Sequence, residues 1–150
     1  YIMEKTNELN KFLSYIHMGN SVFRIYYNEA KNLNDQNLID LIVEIEEIFK
    51  KHEEIITNKI NELGETATDS LTAAGLMAIY KEKMKFFDTP FSIILSAIKS
   101  TNMGLISSLK FLNDNNDLHK NVKDDIISVI NDYKLIQSKL INYLLVYKFN

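Results

Sequence analysis

Residues 64–90 read GETATDSLTAAGLMAIYKEKMKFFDTP, and the topology of the chain turns on them. Gly64 suits the residue just past a helix C-terminus, where a positive φ is needed and glycine takes it without steric cost. Thr89-Pro90 is a restart signal. Thr89 serves as N-cap, and Pro90 stands at the first helical position, where its missing N–H is no loss. Between these marks lie a polar stretch, Glu65 to Ser70, and a helical segment expected over about Leu71 to Phe87. Helices lie on both sides of this long connection.

Working outward, apolar residues recur at three- and four-residue steps. Helix A is expected over about Glu8 to Lys31, with Leu9, Phe12, Leu13, Ile16, Phe23, Tyr26, Tyr27 and Ala30 on its stripe and Gly19 and Asn20 interrupting it. Helix B is expected over about Gln36 to Leu63, with Leu38, Leu41, Ile42, Ile45, Phe49, His52, Ile55, Ile56 and Ile60 inward, and with Asn34 or Asp35 as its N-cap. Helix C runs from Pro90 to about Leu112 on Ile94, Ala97, Ile98, Thr101, Leu105, Ser108, Leu109 and Leu112. Helix D runs from about Leu118 to Tyr147 on Val122, Ile126, Ile130, Tyr133, Gln137, Leu140 and Leu144. The A–B and C–D turns are short, which makes each pair an antiparallel hairpin. Helix B is about 40 Å long at 1.5 Å per residue, and the 65–89 segment has the reach to traverse it; the alternative is that Leu71 to Phe87 forms a fifth packed helix of another all-α fold. The expected fold is all-α: a four-helix bundle with a long, partly helical B–C crossover, forming one domain over residues 1–150.

The composition excludes several function classes. There is no Cys, which removes disulfides, thiolate metal sites and cysteine nucleophiles. Net charge is −3 and Lys alternates with Glu and Asp, so no basic stripe is present and no nucleic-acid partner is expected. No apolar run approaches the ~20 residues needed to span a bilayer. Tyr1 to Thr6 carry charge and no signal-peptide core, and a chain opening on Tyr rather than Met is expected to be a trimmed or processed one. No Ser sits in a strand-borne nucleophile elbow, and no glycine-rich phosphate loop is present.

The hairpin carrying Tyr26-Tyr27-Asn28-Glu29-Ala30, the helix ending Ile60-Asn61-Glu62-Leu63-Gly64 and the crossover before Pro90 resemble the bacterial ferritin-like four-helix-bundle family. The likeness is to a branch related to spore-coat-type proteins, and it covers nearly the whole chain. In that family a di-metal centre takes a Glu from each of two helices and a Glu-x-x-His from each of the other two. Carried over by position, the pattern is largely lost. Asn20 and Thr101 stand where the single Glu residues would be. His52 matches a His, but Phe49 replaces the Glu three residues before it. Tyr133 and Ile136 occupy the last pair. Iron, manganese or zinc needs three or four protein ligands, so the resemblance implies a degenerate centre and no cofactor. His52, His17 and Glu53 are the weak candidates for a metal cluster, with Glu46, Glu47 and Glu53 expected to face the flank or solvent. Asn20, His52, Thr101, Tyr133 and Gln137 are expected to form a polar layer at mid-height, with His52 neutral and hydrogen-bonded to one of the other four.

Two regions read as interaction surface. One is the apolar C-terminus, including Tyr143, Leu145, Val146 and Tyr147. The other is the crossover, including Tyr80 and Phe87. A helix has one stripe to bury, and these segments are apolar on more than one side. The expectation is a non-enzymatic structural or interaction bundle that forms homo-oligomers or binds other proteins, in a cytoplasmic or spore-associated setting. The alternatives are a ferritin-like metal oxidase or iron-binding protein with atypical ligands, and a helical module that binds a small apolar ligand or a partner helix in its core.

Overall fold

A computed structural model describes the backbone over residues 2–150 and side chains from residue 5 onward. Part of the reading made over Tyr1 to Thr6 lies outside the described residues. Five helices follow in order: α1 (Ile2–Asn32), α2 (Gln36–Glu62), α3 (Ala73–Lys83), α4 (Pro90–Asp114) and α5 (Lys120–Tyr143). A π-helical turn, Leu144–Lys148, ends the chain's regular structure. Among the described residues there is no strand, and no helix is long and apolar enough to cross a membrane.

Local chemistry sets the helix ends. Asn34 takes φ 55°, a left-handed conformation that Asn tolerates better than most residues. Asp35 then caps α2, its Oδ1 accepting the Leu38 N–H at 3.0 Å. Its Oδ2 accepts the Tyr143 hydroxyl, tying the start of α2 to the end of α5. Gly64 takes φ 80° beyond α2. Thr89 and Ser92 form a reciprocal capping box at α4, with Pro90 in the first turn.

Contacts along the helices establish their directions. Asn20 and Arg24 of α1 meet Glu53 and Glu46 of α2 at 2.6 and 2.9 Å. Phe12 and Tyr26 of α1 meet Phe111 and Ser100 of α4. His52 and Glu44 of α2 meet Asp132 and Lys139 of α5. In each pair the numbering rises on one helix as it falls on the other. Both α2 and α4 are therefore antiparallel to α1 and parallel to one another, and α5 closes the square by packing on both. The chain returns along the full bundle between α2 and α4. Thr66 and Thr68 lie at Asn10, Ser70 at Ser14, and Glu82 at Tyr26.

The core follows the apolar stripes with three departures. On α4, Leu109 is half exposed, while Ile93 and Phe111 are buried. That helix is covered by α1 on one side and α5 on the other, so its buried arc is wider than a single stripe. The crossover helix stops at Lys83, short of Phe87. This frees Phe87 to turn back under the bundle, 5% exposed and edge-on to Tyr26. The last helix leaves α geometry at Tyr143, three to four residues before the expected end.

Candidate functional site at mid-height

The middle of the bundle is an aromatic box. Phe49 lies 5.2 Å from Phe23, 6.0 Å from Tyr133 and 6.2 Å from His52, measured between ring centroids. Glycine makes room for two of these rings. A Cβ on Gly19 would lie 3.2 Å from the Phe49 ring, and one on Gly104 would lie 2.8 Å from the Tyr133 ring. His52 is fully buried, and its Nε2 is 2.8 Å from Asp132 Oδ2. Its Nδ1 is buried with no partner. Thr101 is buried as well, and its hydroxyl donates to the Ala97 carbonyl of its own helix at 2.7 Å.

The expected polar layer is divided differently in the structure. The partner of His52 is Asp132, not Asn20, Thr101, Tyr133 or Gln137. Asp132 immediately precedes Tyr133, about 100° around the helix from it, and so reaches His52 from the flank. A stripe drawn through inward residues alone passes over it. Asn20 faces the α1/α2 groove, where its Nδ2 donates to Glu53 Oε1. Gln137 is half-buried and donates to Asn102 on the outer side of the α4–α5 seam. His17 and Glu53 are brought together, with the second nitrogen of His17 2.9 Å from the Thr68 carbonyl. His52 does not join them, because adjacent helical residues point about 100° apart. Glu46 is buried rather than flanking, paired with Arg24 at 2.9 Å. Burial raises its carboxyl pKa, and Arg24 opposes that shift.

Two pairs of metal-binding groups thus lie on different flanks of α2: His52 with Asp132, and His17 with Glu53. Among the described residues no three His, Asp or Glu side chains converge on a common point.

Burial lowers the pKa of His52, against the opposing hydrogen bond and charge of Asp132. The geometry gives the reason: a proton on Nδ1 would have no acceptor. The unfolded chain, with an ordinary His near pH 6.5, takes up a proton that the folded chain refuses. The contribution of His52 to stability therefore falls as pH drops through about 6.5, and levels off below its depressed folded value. At pH 7.5 His52→Leu is expected to leave the unfolding free energy within about 1 kcal/mol of wild type, since it removes an orphaned nitrogen and leaves the partly exposed Asp132 to water. At pH 5.5 the comparison should move toward the Leu variant by up to about 1 kcal/mol. Urea unfolding of both proteins at the two pH values measures this, and a difference independent of pH would refute it.

The proposed interaction residues also divide. Tyr143 and Phe87 are buried, the first by its bond to Asp35 and its stacking on Tyr147, the second beneath Tyr26. Leu145, Val146, Tyr147 and Tyr80 are exposed, and Met84, Phe86 and Phe149 are exposed beside them in sequence. No family model matches the chain, and no curated protein matches it.

Proposed function

We propose that this chain is a non-enzymatic bundle of the ferritin-like kind, with a degenerate centre, and that it works by assembling with further copies of itself through one end. The observation that carries the proposal is the apolar end where α3 hands over to α4 and α5 finishes. There Phe86 is 86% exposed, Met84 70%, and Tyr147 and Phe149 58% each. Phe91 and Phe149 stack at 6.2 Å, which joins the crossover side of this end to the C-terminal side. Single exposed apolar residues are ordinary on a protein surface, but a group of large ones at one end marks a contact site. The division of the inner polar groups into two two-member pairs also supports an interaction role over a metal oxidase. The spore or coat setting rests on the family resemblance alone.

Size-exclusion chromatography with light scattering tests the reading. Wild type should run as a dimer or larger at concentrations where Phe86→Asp/Phe149→Asp runs as a monomer. A wild type that stays monomeric at every concentration reached would refute assembly. Stoichiometric iron, manganese or zinc in the purified protein would favour the oxidase instead.

A further inference from the structure

A cavity of about 230 Å³ lies between α1, α3, α4 and α5, with Phe49 of α2 and the aromatic box at its inner side. Phe23, Phe49 and Met18 contribute to its apolar wall, and the exposed Met103 to its rim. Three of the chain's four glycines, Gly19, Gly75 and Gly104, border it. Glycine inside a helix costs helix stability relative to alanine, so their gathering at one place is a feature to be explained. Gly19 and Gly104 admit rings, as described above. Gly75 belongs to a second oddity, the orientation of α3.

A helix packed on a bundle ordinarily turns its large apolar residues inward. Of the large apolar residues of the crossover helix, Ile79 packs against the core and the rest face out. Gly75 and Ala78 face the cavity, while Leu76, Met77 and Tyr80 are more than half exposed. The segment is held instead by polar fastenings at its two ends. Asn10 and Ser14 bond the backbone of residues 66–70, and Tyr26 Oη bonds Glu82 at 2.8 Å. It spans the gap without filling it.

One polar group of a buried residue faces that gap without a partner in the chain. Tyr133 is 3% exposed and lines the cavity, and its hydroxyl, bonded to no other residue, is open to the cavity and not sealed from solvent. The neighbouring hydroxyls are engaged, Thr72 in capping α3 and Ser100 with Tyr26. Ser107, half-buried, and Tyr15, at the exposed rim, are the other lining groups able to meet a polar substituent. The space is largely apolar, opens to solvent past the exposed Tyr15 and Met103, and has room for two fused rings against the donor on its inner wall.

We propose that this cavity binds a small, neutral, fused-ring aromatic molecule that accepts a hydrogen bond from Tyr133 Oη, with α3 as the outer wall of the site. Burial holds the Tyr133 phenol protonated far above neutral pH, so the hydroxyl is available as a donor throughout. The site is independent of the apolar end and of the assembly reading.

Quinoline and naphthalene have the same shape and differ by one acceptor, which makes them suitable probes. Titrated into protein labelled with ¹³C at the Met methyls, each should shift Met18 and Met103 saturably. In Tyr133→Phe the quinoline-to-naphthalene affinity ratio should fall at least fivefold. Ala78→Leu, which fills the cavity from α3, should remove binding of both, and Ala74→Leu serves if that variant does not fold. Absence of saturable shifts at these methyls with both probes would overturn the proposal. So would an unchanged affinity ratio in Tyr133→Phe, or undiminished binding in the filled variants.

Discussion

Replacing Phe49 by Ala is expected to lower the unfolding free energy by about 3–5 kcal/mol. Phe49 is 1% exposed and stands at the centre of the aromatic box, against Phe23, His52, Tyr133 and Gly19. Three things are lost together. The ring's transfer free energy goes, and the edge contacts of its neighbours go with it. A void is also left where the surrounding helices have little freedom to collapse, because α1, α2 and α5 are held by the pairs Arg24–Glu46 and His52–Asp132 on either side. For a chain of this length the loss corresponds to a fall in Tm on the order of 10 °C. Phe49→Leu keeps most of the volume and should cost about 1 kcal/mol. Urea unfolding monitored by circular dichroism gives both numbers. A loss below about 1 kcal/mol for Phe49→Ala would mean that the box is not the mechanical centre of the bundle.

The second large effect is expected at Gly104. Its φ is ordinary for a helix, so the need for glycine here is one of space and not of backbone freedom. A Cβ would lie 2.8 Å from Cζ of Tyr133 and 3.0 Å from its hydroxyl oxygen. That ring is buried between Phe49, His52 and α4, and it has nowhere to retreat except into the neighbouring cavity. Gly104→Val should therefore cost about 1–3 kcal/mol through overpacking, in spite of a small gain in helix propensity. The diagnostic is non-additivity. Gly104→Val combined with Tyr133→Leu should be less destabilised than the sum of the two single variants, since the clash needs both partners. Equal or greater destabilisation in the double variant would place the role of Gly104 elsewhere.

The helices were the most legible part of the chain. Three- and four-residue apolar spacing, Asp35, Gly64 and Thr89-Pro90 are local signals, and local signals survive in a linear string. The inner faces of α1 and α2 followed from the same spacing. Phe87 and Tyr143 read as surface in the sequence but are buried, since Phe87 meets the distant Tyr26 and Tyr143 the distant Asp35, and no periodicity announces such a contact. The same holds for Asp132. Nothing around it says that it will complete a histidine eighty positions earlier.

The candidate sites show the limit more sharply. His52 is recognisable as a buried imidazole from its place on a stripe, whereas the burial of Glu46 against Arg24 is not. What the imidazole bonds to depends on the rotation of α5 about its axis, and only the packed bundle sets that angle. The cavity is invisible in the linear string, because it arises from five segments far apart in the chain, with glycines on three of them.

By itself the sequence determined that the chain is helical, where the capped ends of α2 and α4 lie, and which residue types are available inside. These are properties of neighbours along the chain, governed by backbone sterics, capping and burial of one face. The tertiary structure alone decided that small residues of α3 face inward, that Tyr133 is left with a free hydroxyl, and that His17 and His52 go to different partners. Those outcomes depend on how whole helices rotate and translate against each other, a balance of packing summed over the entire core that no local window contains.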